Sequence, residues 1–220
     1  MFPSDKLSSV GEHSFVFSGL AGQLEGLLTV PPNANKQFIA LLGHPHSLQG
    51  GTMNNKVVST MSRAFKELEI ASLRFNFRGV GQSEGLYDDG IGESEDMLIL
   101  MRLCQQELAA DAKFIFAGFS FGSYVAYRAA AQAAHELLIT VAPPVHHYNY
   151  EEYPPPRPWV IMQGDEDEVV PFATVKDFAD LFSPPLAFYS FAETSHFFHG
   201  KLLDLKTSLL KAVKTQVLKR

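Results

Sequence analysis

The sequence predicts an α/β fold: a single domain over residues 1–220 with an eight-stranded, mostly parallel sheet, a leading antiparallel hairpin and helices on both faces. Three observations carry this expectation. Runs of strand character alternate with runs of helical spacing almost from end to end, the order that builds a parallel sheet from βα units. Some strand runs, such as Phe38–Leu42, are apolar throughout, as strands buried on both faces are. With 46% hydrophobic and 19% charged residues, the chain carries enough apolar material for one continuous core.

The elements follow in order. His13–Ser18 and Leu24–Val30 read as strands joined by Gly19-Leu20-Ala21-Gly22, a hairpin signal. Phe38–Leu42 is the third strand. Asn54–Leu68 places Val57, Val58, Met61, Ala64, Phe65 and Leu68 at helical spacing. Ile70–Phe77 returns to strand. Gly92–Leu108 is an amphipathic helix whose first turns carry Glu93, Glu95 and Asp96, favourable at the positive end of the helix dipole. Lys113–Ala117 is a strand, Ser120–Ala134 an alanine-rich helix and Leu137–Val141 a strand. A polar, proline-rich loop from Pro143 to Pro158 separates it from the strand Trp159–Met162. The helix Phe172–Phe182, the strand Leu186–Phe191 and the helix Lys201–Leu218 complete the chain, the last with Leu202, Leu205, Leu209, Val213 and Val217 on one side.

Charge and cysteine content exclude several classes. The net charge is −6 and no basic block precedes the C-terminal helix, so nucleic acid is not the expected partner. The single cysteine, Cys104, excludes an intramolecular disulfide and a cysteine-only metal site; its apolar neighbours make it a buried thiol. Met1–Val10 lacks an apolar leader core and no apolar run is long enough to cross a bilayer, so no membrane partner and a cytoplasmic location are expected. The pairs His44/His46 and His146/His147 do not supply the three or four converging ligands of a zinc site, and no cofactor is implied. The oligomeric state is left open.

The chemistry centres on Gly118-Phe119-Ser120-Phe121-Gly122. A G-x-S-x-G pentapeptide arises by chance in a chain this long about one time in ten, so its flanks decide. Here a strand runs into it and a helix leaves it, the setting in which the serine is held at a sharp turn with its hydroxyl exposed. The alternative is a helix N-cap serine between two packing glycines. A serine nucleophile needs a base oriented by a third group. Acids cluster after the strand Trp159–Met162 as Asp165-Glu166-Asp167-Glu168, and His196 and His199 follow the last strand. The segments are thereby given, but not yet the residues.

These features together resemble the α/β-hydrolase superfamily, whose chain order is Ser, then Asp or Glu, then His. Members often read Gly-x-x-Asp-x-x-Val-Pro after the acid-bearing strand. Gly164 to Pro171 follows that pattern and implies Asp167 as the acid, with Asp165 the alternative. The x-His-Phe-Phe context implies His196 as the base rather than His199. The oxyanion amides implied are those of Phe121 and of His46, which stands in the loop after the third strand where relatives carry His-Gly-x; Ser47 is the reserve because Pro45 has no N–H. Arg74 to Ser83 is similar to the family's Asp-x-Arg-Gly-x-Gly-x-Ser, with Asn76 in place of Asp, a loop-holding segment. The segments beginning at His44, Gly50 and Arg74 are most similar to small, cap-poor bacterial hydrolases.

The resemblance implies hydrolysis of a small-molecule ester or thioester through an acyl-enzyme on Ser120, His196 and Asp167. A peptidase or amidase would use the same triad, and a non-catalytic binding protein would be expected to have lost one of its members. Pro143 to Pro158 is too short for a multi-helix lid, so its Tyr148, Tyr150 and Tyr153 either rim an open site or pack the loop down.

Overall fold

A computed structural model of the chain describes residue 7 and residues 9–35, 37–107 and 110–218. Most of Met1–Val10, and Leu108 at the predicted end of the second helix, lie outside the described residues.

Eight strands form one sheet: β1 (Gly11–Gly19), β2 (Gly22–Val30), β3 (Phe38–Gly43), β4 (Ala71–Phe75), β5 (Lys113–Phe119), β6 (Leu137–Val141), β7 (Trp159–Gly164) and β8 (Ala187–Phe191). Their spatial order is β1-β2-β4-β3-β5-β6-β7-β8. β2 runs antiparallel to both β1 and β4, and the remaining neighbours are parallel. The helices are α1 (Lys56–Glu67), α2 (Ile91–Glu107), α3 (Phe121–Ala131), α4 (Phe172–Asp180) and α5 (Leu202–Val213).

The all-apolar strands still alternate, because the pleat sends successive side chains to opposite faces. Phe38, Ala40 and Leu42 of β3, with Ile115, Ala117 and Phe119 of β5, pack with Val57 and Met61 of α1 and Leu205 and Leu209 of α5. Ile39, Leu41, Phe114 and Phe116 face the opposite way, into a core shared with Met97 of α2, Val125 of α3 and Val175 of α4. Each large side chain fully buried here, Phe65 and Phe116 among them, contributes about 2 kcal/mol of transfer free energy. Cys104 lies in the second of these cores, and burial pushes its thiol pKa up. Among the described residues no helix is long and apolar enough to cross a membrane.

Several boundaries shift from expectation for local reasons. α1 starts at Lys56 rather than Asn54 because Asn55 caps it, its Oδ1 accepting from the Val57 amide at 2.9 Å. The strand expected to reach Phe77 leaves the ladder at Phe75, since the Phe77 amide donates to His44 Nε2 at 2.9 Å. β5 and β7 run two residues further than expected, to Phe119 and Gly164.

No helix forms between β6 and β7, so the fold carries no lid there. That loop packs down onto α3. Tyr127 Oη donates to the carbonyls of Tyr150 (2.6 Å) and Tyr153 (3.1 Å), and Tyr150 is buried against Tyr127 and Trp159. Of the loop's Tyr148, Tyr150 and Tyr153, Tyr148 alone reaches the ring of Phe121. Of the two roles weighed for these tyrosines, packing accounts for Tyr150 and Tyr153.

The strand order places the site. From β3 the chain crosses to β4 on one side, then returns past β3 to β5 on the other, so the loops after β3 and β5 diverge. Ligands in open α/β sheets bind in the crevice that such a reversal opens at the carboxyl ends of the strands.

Candidate active site

Ser120 sits at the turn from β5 into α3 with φ 53° and ψ −125°, a backbone conformation that costs energy for a residue with a side chain. The flanking glycines are required by contact. A Cβ on Gly118 would stand 2.0 Å from the Gly122 carbonyl oxygen, and one on Gly122 would stand 2.3 Å from the Gly43 carbonyl carbon. The Ser120 amide donates to the Val141 carbonyl (2.9 Å), and Ser123 Oγ donates to the Ser120 carbonyl (2.6 Å), which brace the turn from both sides. Although Ser120 holds the N-cap position of α3, its side chain makes no capping bond. Its Oγ lies 3.1 Å from His196 Nε2.

His196, in the loop after β8, places Nδ1 2.8 Å from Asp167 Oδ2 and 3.1 Å from Oδ1. Both side chains are buried, and Ser120 is 9% exposed. The carboxylate is oriented on every side. Asp167 Oδ1 accepts from the amides of Val169 (2.9 Å) and Val170 (2.7 Å), and Oδ2 accepts from Gln163 Nε2 (3.0 Å). The other candidates lie apart. Asp165 is exposed and faces the Thr194 amide at 3.4 Å; Glu166 is exposed; His199 is exposed with its ring 6.0 Å from that of Phe197. Glu168 is more than loop charge, since its Oε2 accepts from the His196 amide at 3.1 Å.

The loop after β3 is fixed by His44, which is wholly buried. Burial lowers its pKa to about 4, against a smaller opposing effect of its bond to Pro45, so the ring is neutral. Nε2 accepts from the Phe77 amide, which can only donate, so Nδ1 carries the proton and donates to the Pro45 carbonyl at 2.7 Å. A trans peptide points its C=O and N–H in opposite directions, so holding the Pro45 oxygen also aims the His46 amide. Gly51 completes the clamp: a Cβ there would stand 2.0 Å from the Pro45 oxygen. The amides of His46 and Phe121 have no hydrogen-bond partner among the described residues, and their two rings lie 5.2 Å apart. Ser47 Oγ is enclosed without a partner among the described residues.

A cleft of about 90 Å³ lined by Pro45, His46, Gly51, Ser120, Val169, His196 and Phe197, among others, opens above Ser120. Leu48, Val169 and Phe197 expose apolar side chains near it. Tyr87 stacks on His46 at 4.8 Å and shares a 3.3 Å hydroxyl contact with Tyr148. A larger cavity of about 530 Å³, between α4 and the β6–β7 loop, is lined by none of these chemical groups. Asn76 ties the neighbouring loops together, accepting from the Met53 amide (2.8 Å) and donating to Glu25 (2.7 Å). Arg78 bonds buried Asp96 at 2.9 Å. Among the described residues no three His, Cys, Asp or Glu side chains converge as a metal site would require.

Sequence reasoning missed Gln163 and the clamp role of His44. Gln163 directly extends the apolar run Trp159–Met162, and a polar side chain in such a run was the available signal.

No family model matches the chain. A solved α/β serine hydrolase without a lid from Xanthomonas campestris is 37% identical, with 93% of this chain and 94% of that one covered and a TM-score of 0.89. An α/β serine hydrolase homologue from Coxiella burnetii is 42% identical over 91% of this chain and 97% of that one, with a TM-score of 0.87. An uncharacterized protein of Rickettsia prowazekii is 36% identical over 172 residues, 76% of this chain and 72% of that protein. The chain belongs to the α/β serine hydrolase family and is a lidless hydrolase of that class.

Proposed function

We propose that the protein hydrolyses carboxylic esters or thioesters of small acyl groups through an acyl-enzyme on Ser120. The observation that carries this reading is the continuous line of contacts from Ser120 Oγ through His196 to Asp167, at 3.1 Å and 2.8 Å.

Ser120 Oγ attacks the carbonyl carbon while His196 Nε2 takes its proton. Asp167 holds the imidazole and stabilises the cation it becomes. Charge on the carbonyl oxygen is met by the amides of His46 and Phe121, which have no competing partner among the described residues. His196 returns the proton to the departing alkoxide or thiolate, leaving an ester on Ser120. Water, deprotonated by His196, then attacks that ester and releases the carboxylic acid and free Ser120. The cleft above Ser120 is small, about 90 Å³, which suits a short acyl group better than a long one.

A fluorophosphonate probe should label the wild type and leave Ser120→Ala unlabelled. In a chain-length series of p-nitrophenyl esters, turnover should peak at short chains. Labelling that survives in Ser120→Ala rejects the nucleophile, and a peak at long chains rejects the small acyl site. Loss of labelling with no turnover of any ester or thioester transfers the triad to amide substrates.

A further inference from the structure

We propose that the surface between α1 and the β1–β2 hairpin is a second binding site, one for a phosphate-type oxyanion carried by a small soluble molecule. A cavity of about 410 Å³ opens there and shares no lining residue with the cleft above Ser120. Its charged lining is Arg63, Lys66 and Arg74 against Glu12 alone, a reversal of sign in a chain of net charge −6. An adjoining cavity of about 260 Å³ shares Asn54, Ser59 and Arg63 with it and adds Lys56. Together they have room for the group that bears the anion.

Arg74 lies at the centre of this site. It is 5% exposed, and Nη1 donates to the Met53 carbonyl (3.2 Å) and Ser59 Oγ (3.0 Å). Nη2 donates to Glu12 Oε1 at 3.0 Å, while Nε is enclosed with no partner among the described residues. Nε and Nη2 form one edge of the guanidinium, the fork that a phosphate or carboxylate engages with two parallel bonds. Glu12 occupies that edge through a single bond, and its Oε1 also accepts from Thr29 Oγ1 at 3.3 Å. Its side chain is 56% exposed, so an incoming dianion displaces it at little cost.

The surroundings fit an oxyanion. Arg63 and Lys66 make no ion pair or side-chain hydrogen bond among the described residues and are free to close over a ligand. The floor is polar: Ser62 Oγ meets Ser72 Oγ at 2.9 Å and Thr29 Oγ1 at 3.3 Å. Burial is the main cause that lowers the Arg74 pKa; Glu12 opposes it and the like charge of Arg63 adds to it.

Pyrophosphate titrated into the full chain by calorimetry, at constant ionic strength, should bind saturably with one site per chain. Arg63→Ala and Lys66→Ala change exposed side chains and should each weaken binding about tenfold, the loss of one charge-assisted hydrogen bond. Glu12→Gln should tighten binding by removing the competing carboxylate, and Lys176→Ala, on α4 at the other face of the sheet, should leave it unchanged. No saturable binding by the wild type overturns the proposal. So does equal weakening in Lys176→Ala, or weaker binding in Glu12→Gln.

Discussion

Lowering the pH from 7 to 4 is expected to cost the folded state about 3 kcal/mol through His44 alone. Burial lowers the folded-state pKa of this histidine from its ordinary 6.5 to about 4. Between those values the unfolded chain binds a proton that the folded chain refuses, so acid favours unfolding. The contribution is complete above pH 6.5 and is lost as the pH falls toward 4. A gap of two and a half pKa units at 1.36 kcal/mol each sets the upper size of the effect, and half-protonation of the folded state at pH 4 trims it to about 3 kcal/mol. Trp159, the sole tryptophan, is buried beside Tyr127 and reports unfolding by fluorescence. Urea unfolding of wild type and His44→Asn should be compared at each pH. The variant keeps a donor and an acceptor but no titrating group, and at pH 7 it should be less stable by about 2 kcal/mol. The gap between the two proteins should then close as the pH falls. His46 and His146, whose pKa values burial also lowers, are present in both proteins and cancel in the difference. Parallel stability curves between pH 7 and 4 would show that His44 is not held neutral, and the account of how the Pro45–His46 peptide is aimed would fall with it.

Gln163→Met keeps volume but removes the bond to Asp167 Oδ2, and kcat toward a short ester should fall about tenfold or more, with KM little changed. An equal kcat in the variant would make Gln163 a packing residue only. Asp167→Asn should lower kcat by about three to four orders of magnitude while the exposed Asp165→Asn stays within about twofold, which steady-state ester hydrolysis distinguishes directly. Gly122→Ala forces a Cβ to within 2.3 Å of the Gly43 backbone, so little soluble protein is expected; a variant with wild-type melting temperature would refute the close approach of β3 to the elbow.

The alternation of apolar strands with helically spaced runs was readable residue by residue, because pleat and helix period are local properties of the chain. So was the position of Ser120, since strand, glycine, serine and helix are consecutive. The residues proposed as acid and base were less so. Asp165, Glu166, Asp167 and Glu168 are four neighbouring carboxylates of similar chemistry, and composition alone does not rank them. Their separation arises when the Val169 and Val170 amides close on Asp167 Oδ1 and turn that side chain toward His196, leaving Asp165 and Glu166 in solvent. The tyrosines of the β6–β7 loop were equally ambiguous until Tyr127, on another element, supplied the hydroxyl that holds Tyr150 and Tyr153. Gln163 and the clamp role of His44 escaped notice because their partners are brought to them by the fold: Asp167 across a turn, Phe77 from beyond the end of a different strand. What the sequence determined by itself was the layering of the sheet and the strand–turn–helix that sets Ser120 at its carboxyl edge. Which polar groups meet there depended on loops folded back from distant strands, and hydrogen bonds between residues far apart in the chain leave no period in the sequence to read.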